Sequence, residues 1–119
     1  MEVRTASSPR DVKHYTTDRL REEFLIQNLF VPGEIKMVYS HIDRIITGAA
    51  VPAGETLVLT AGAELRAEYF LQRREMGIIN IGGAGVIVAD GKEYEVGHKE
   101  GMYIGMGVKE ITFASKEST

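Results

Sequence analysis

A chain of 119 residues has room for one domain around one hydrophobic core, not for two. Its hydrophobic share of 44% and charged share of 26% are those of a folded globular protein and exclude a disordered tail or a fibrous repeat. A net charge of -3, with Lys and Arg dispersed among acids, excludes a basic nucleic-acid stripe, and the absence of cysteine removes disulfides, thiolate catalysis and cysteine zinc sites.

Residues 1–15 are polar and aperiodic, with Pro9 as a breaker, and predict an extended or loosely held N-terminal arm ahead of a domain over 16–119. They contain no apolar run suited to a secretory signal, and no later run reaches the ~20 apolar residues of a membrane span. The chain reads as cytoplasmic, with neither membrane nor nucleic acid as a partner. Thr16-Thr17 can cap one short helix over Asp18–Gln27, where Leu20 and Phe24 lie a turn apart and Arg19, Glu22 and Glu23 fall on other faces.

Beyond Asn28 the helical period disappears. Short β-rich runs follow at Ile35–Tyr39, Arg44–Val51, Thr56–Leu59, Ala67–Leu71, Met76–Ile81, Gly85–Ala89, Lys92–Val96, Met102–Ile104 and Ile111–Ala114, with Gly- and Pro-containing breaks between them. This spacing predicts an all-β barrel or sandwich. Asp90-Gly91 separates two of the runs and suits a two-residue turn in which both residues take positive φ. On the returning strand Tyr94 and Val96 should face inward and Glu93 and Glu95 outward, while Val86, Ile87 and Val88 predict a strand buried on both faces. The polar tail from Ser115 to Thr119 reads as a natural end or the start of a linker.

The chemistry is sparse. His14, His41 and His98 form no His-x-His or His-x-x-x-His pair, so no metal site is predicted; an independent metal-dependent domain would have to draw on these three and scattered acids. No nucleophile elbow, Gly-Lys-Ser/Thr loop or dinucleotide fingerprint is present, and Gly82-Gly83-Ala84-Gly85 precedes a strand and reads as a turn.

On an extended strand His41 and Asp43 would share a face, either as a polar pair lining a cavity or as a structural or subunit contact, with Arg44 next to them. Arg73, Arg74 and Glu75 follow the run Tyr69-Phe70-Leu71. Two guanidiniums there suit a carboxylate, whether of a sugar acid or a neighbouring subunit, or else a solvated strand end. Tyr39, Tyr69, Phe70, Tyr94, Tyr103 and Phe113 read as core or interface filling.

The strings Met37-Val38-Tyr39-Ser40-His41-Ile42-Asp43-Arg44-Ile45-Ile46 and Tyr69-Phe70-Leu71-Gln72-Arg73-Arg74-Glu75-Met76-Gly77-Ile78-Ile79-Asn80-Ile81-Gly82-Gly83 resemble 5-keto-4-deoxyuronate isomerase, also called 4-deoxy-L-threo-5-hexosulose-uronate ketol-isomerase. The resemblance continues through Asp90-Gly91, Tyr94, Gly97-His98, Lys109-Glu110 and Phe113-Ala114-Ser115. It implies a cupin-like (RmlC-type) jelly roll, the N-terminal half of a cytoplasmic two-cupin enzyme of pectin breakdown that interconverts 5-keto-4-deoxyuronate and 3-deoxy-D-glycero-2,5-hexodiulosonate. It further implies a homohexamer and a zinc ion whose ligands lie in the C-terminal cupin, outside this chain, leaving no metal ligand and no assignable catalytic residue here.

His41, Arg44, Arg73, Arg74 and Glu75 are then candidates for substrate or interface contact, and the missing half is the first expected partner. The alternative is a stand-alone cupin that binds a ligand or drives oligomerisation without catalysis.

Overall fold

The structure, a computed structural model, describes residues 1–116; the end of the predicted polar tail lies outside the described residues. Strands β1 (Glu2–Arg4), β2 (Ile35–Ser40) and β3 (Ile45–Ala50) form one sheet in that order, β1 parallel and β3 antiparallel to β2. Later in the chain come β4 (Leu57–Val58), β5 (Met76–Ile79), β6 (Gly85–Ala89), β7 (Lys92–Val96), β8 (Gly101–Ile104) and β9 (Ile111–Ser115). They build a four-stranded sheet of order β4-β9-β6-β7 and a two-stranded sheet of β5 and β8. The protein is therefore all-β, as the spacing of the runs predicts, but no sheet among the described residues closes on itself.

The N-terminal residues are not one featureless arm. β1 pairs Val3 with Tyr39, the His41 amide donates to the Arg4 carbonyl at 2.9 Å, and the Arg4 guanidinium reaches the Leu25 carbonyl at 2.7 Å. Ser8 and Pro9 then start a single helical turn, α1 (Pro9–Val12). The helix expected over Asp18–Gln27 is α2 (Thr17–Phe24), capped by the Thr16 hydroxyl, which accepts from the Arg19 amide at 3.3 Å. It stops short of Gln27 because none of its residues is buried: eight residues without tertiary packing cannot sustain further turns, and Leu25 is already extended.

The core gathers Leu59, Ala61, Leu65, Phe70, Leu71, Ile87, Val96, Ile104 and Ile111. Three expectations need correction here. Ala67–Leu71 is not a strand: Arg66 turns left-handed at φ 47° after a short 3-10 segment, and the Gln72 side-chain amide accepts from the Glu68 backbone at 2.9 Å. The segment satisfies its backbone locally while still burying Phe70 and Leu71, so its apolar run signals burial rather than a ladder. Tyr94 lies on the same face of the edge strand β7 as Val96, opposite Ile87, but stays 37% exposed there, with the Lys92 ammonium 5.3 Å from its ring; of the two only Val96 is buried. On β6, Ile87 is buried but Val86 and Val88 are half-buried, so one face rather than both is sealed.

Leu71 is fully enclosed, whereas Val58 is largely exposed on a short edge strand. Leu71→Ala should lose about 2–5 kcal/mol of unfolding free energy in urea titration, and Val58→Ala about 0.5 kcal/mol or less.

Candidate functional site

The three sheets do not close, and an open groove of about 800 Å³ remains between β3 on one side and β5 and β6 on the other. Alternation places Ile46, Met76, Ile78 and Ile87 along its walls, with Phe70 among the lining residues. Its charged lining residues are Arg44, Arg74 and Glu75. His41 and Arg73 do not line it.

Each candidate residue has a definite setting. The chain reverses between β2 and β3 through His41-Ile42-Asp43-Arg44, with Asp43 and Arg44 both left-handed at φ 57° and 51°. His41 and Asp43 are thus not aligned on an extended strand. The Ser40 hydroxyl accepts from the Ile42 amide at 3.2 Å and starts the turn, and Asp tolerates the left-handed conformation that completes it. The His41 ring packs at 5.3 Å from Tyr39, tilted by 56°. Arg73 donates to the Arg66 carbonyl at 3.3 Å and so braces the turn before β5.

Arg74 is half-buried, its guanidinium carbon 5.7 Å from the Tyr39 ring centroid and 5.8 Å from that of Phe70. Two aromatic rings therefore flank one cation, an attractive arrangement that fixes its position. Glu75 accepts a 2.5 Å hydrogen bond from the Tyr103 hydroxyl. That bond, with a smaller contribution from burial and the carboxylate's negative charge, raises the Tyr103 pKa above the ordinary phenol value.

Two residues outside the sequence-based candidates shape the groove. Asn80 donates to the Gly83 and Val96 carbonyls at 2.9 and 2.8 Å and accepts from the Gly82 amide at 3.0 Å, tying the β5–β6 turn to β7. An Asn two residues before Gly is a recognisable turn signal, although its long-range bond to Val96 is not. Tyr103 carries no local signal for its pairing with Glu75, which lies just before β5 and 28 residues away in sequence.

Among the described residues no three of His, Asp or Glu gather closely enough to hold a metal ion. His98 is engaged with the Gly82 carbonyl at 2.9 Å, and His41 sits against Tyr39. These residues do not fit a zinc site. Among the described residues no helix is long and apolar enough to cross a membrane.

By sequence this all-β chain matches relatives named as isomerases. The chain is homologous throughout its length to 4-deoxy-L-threo-5-hexosulose-uronate ketol-isomerases: it is 73% identical over all 119 residues to the protein so named from Lachnoclostridium phytofermentans and 56% identical over 119 residues to that from Lachnospira eligens. The protein of the same name from Escherichia coli is 50% identical over 117 residues. The match takes 100%, 100% and 97% of this chain but only 43%, 42% and 42% of those relatives, so the chain spans less than half their length. No family model matches the chain.

The Tyr103–Glu75 bond has a measurable signature. The protonated phenol is the favoured partner of the carboxylate, so the bond's contribution is present below the unfolded phenol pKa and is lost as pH rises through the higher folded one. The difference in ultraviolet phenolate absorbance between this protein and Tyr103→Phe should titrate above the ordinary phenol value, and Glu75→Gln should move that component down toward it.

Proposed function

We propose that this chain is the front, metal-free portion of a uronate ketol-isomerase, built as part of a cupin jelly roll and acting with the remainder of the polypeptide. The single observation behind this reading is the 73% identity that runs over the whole chain while covering 43% of the relative. The reaction would interconvert 5-keto-4-deoxyuronate and 3-deoxy-D-glycero-2,5-hexodiulosonate during pectin breakdown in the cytoplasm.

Such an isomerisation moves a proton between adjacent carbons and needs a base, together with an electrophile for the enediolate oxygen. A zinc ion supplies that electrophile in this reading, held by side chains of the polypeptide beyond this portion. The residues described here contribute a rigid apolar wall and surfaces for the second cupin and for a homohexameric assembly. His41, Arg73 and Glu75 serve the turns and contacts around them, not the proton transfer.

The test joins this chain to the remaining part of the Lachnoclostridium phytofermentans relative and follows conversion of 5-keto-4-deoxyuronate by NMR beside the intact relative. The joined protein with zinc should turn over substrate and the 119-residue chain alone should not. Turnover by the chain alone would overturn the division of labour; an inactive joined protein, folded by circular dichroism, would overturn the assignment.

A further inference from the structure

The groove has a chemical character of its own that the isomerase reading leaves unused. Arg74 is half-buried, yet among the described residues it makes no ion pair and no hydrogen bond. A guanidinium has five N–H donors, and at Arg74 no acceptor among the described residues takes them up, so they stay open to water and to a ligand. The rings of Tyr39 and Phe70 fix its position without using its N–H edge. A planar donor fork, immobilised and unspent, is the arrangement that grips a carboxylate through two parallel bonds.

The charge count agrees. Arg44 and Arg74 bring two positive charges to the lining and Glu75 one negative charge, leaving a net +1. Glu75 is turned to the Tyr103 hydroxyl, so the acid nearest in sequence to Arg74 is already engaged.

The walls select the rest of the ligand. Ile46, Met76, Ile78 and Ile87 offer dispersion contacts and no hydrogen bonds. The Asn80 amide, which could serve hydroxyl groups, is committed to the Gly83 and Val96 carbonyls. A ligand rich in hydroxyls would leave them unpaired against hydrocarbon. The volume, about 800 Å³, lies within the range of small-molecule sites.

We propose that this groove binds a small monocarboxylate with an apolar body, its carboxylate held by Arg74 with Arg44 adding charge and its body lying along β3, β5 and β6. The site is independent of isomerase turnover and requires no metal.

Calorimetric titration of the protein with cyclohexanecarboxylate, the neutral analogue cyclohexylmethanol and galacturonate tests it. Cyclohexanecarboxylate should bind saturably at one site, the alcohol and galacturonate at least about tenfold more weakly, a difference of about 1.4 kcal/mol. Arg74→Gln should weaken the acid by about tenfold and leave the alcohol unchanged. Arg73→Gln, outside the groove, should leave both unchanged. Arg44→Gln, at an exposed turn, should weaken the acid by a smaller factor and gives the same reading should Arg74→Gln fail to fold by circular dichroism.

Absence of binding, equal affinity for acid and alcohol, tighter binding of galacturonate than of cyclohexanecarboxylate, or loss of neither guanidinium being felt would each overturn the proposal. Because no turnover is measured, these outcomes are separate from failure of the isomerase reading.

Discussion

Strand β6 is the member on which the rest of this structure depends, because it alone in the larger sheet is paired along its full length on both sides. It meets β7 from Gly85↔Val96 to Ala89↔Lys92 and β9 from Gly85↔Ser115 to Ala89↔Ile111. The end of the ladder is locked by Asp90, whose carboxylate accepts from the Lys109 and Glu110 amides at 3.0 and 2.8 Å while its own amide donates to the Glu110 carbonyl at 2.8 Å. A charge-assisted pair of bonds to backbone N–H groups is stronger than a neutral ladder bond, so one aspartate both starts the hairpin and clamps the incoming β9. With the register fixed in this way, Ile87 points to the core beside Val96 and Ile111, and the same strand forms one wall of the groove.

Interactions of short range in sequence leave a local signature, and those of long range do not. The Asp90-Gly91 turn was readable because its requirement is local: φ of 47° and 82° at adjacent residues suits Asp followed by Gly. The start of α2 was equally readable from Thr16. Strand β1 was not, because its parallel pairing of Glu2 with Val38 links residues far apart in sequence and leaves no local period over three residues. Ala67–Leu71 misled for a related reason: an apolar run reports burial, and a turn stapled by Gln72 buries Phe70 and Leu71 as well as a strand would. For the candidate site, the residue types Arg44, Arg74 and Glu75 were visible, but the flanking of Arg74 by Tyr39 and Phe70 and the capture of Glu75 by Tyr103 depend on tertiary placement.

The groove and the ladder together give this portion a consistent chemistry. Antiparallel alternation turns hydrocarbon into the space between the sheets and leaves the imidazoles in the turns, His41 between β2 and β3 and His98 between β7 and β8. Metal binding needs donors that converge from strands facing one another, and the residues available at those positions are Ile, Met, Gly and Val. The charged groups there are the Arg44 and Arg74 guanidiniums and a single carboxylate, Glu75, which is engaged with the Tyr103 hydroxyl, so the lining carries a net positive charge. The scaffold is thus suited to support and to anion recognition, and the homologous ketol-isomerases, more than twice as long as this chain, have ample polypeptide for further chemistry.

Among the described residues no three His, Asp or Glu side chains gather to hold a cation, and elemental analysis of the purified protein after equilibration with zinc and exhaustive dialysis against metal-free buffer measures the consequence. Far less than one bound zinc per chain is expected, with unchanged thermal unfolding in the presence and absence of the metal. One tightly retained zinc per chain, accompanied by a rise in unfolding temperature, would contradict it.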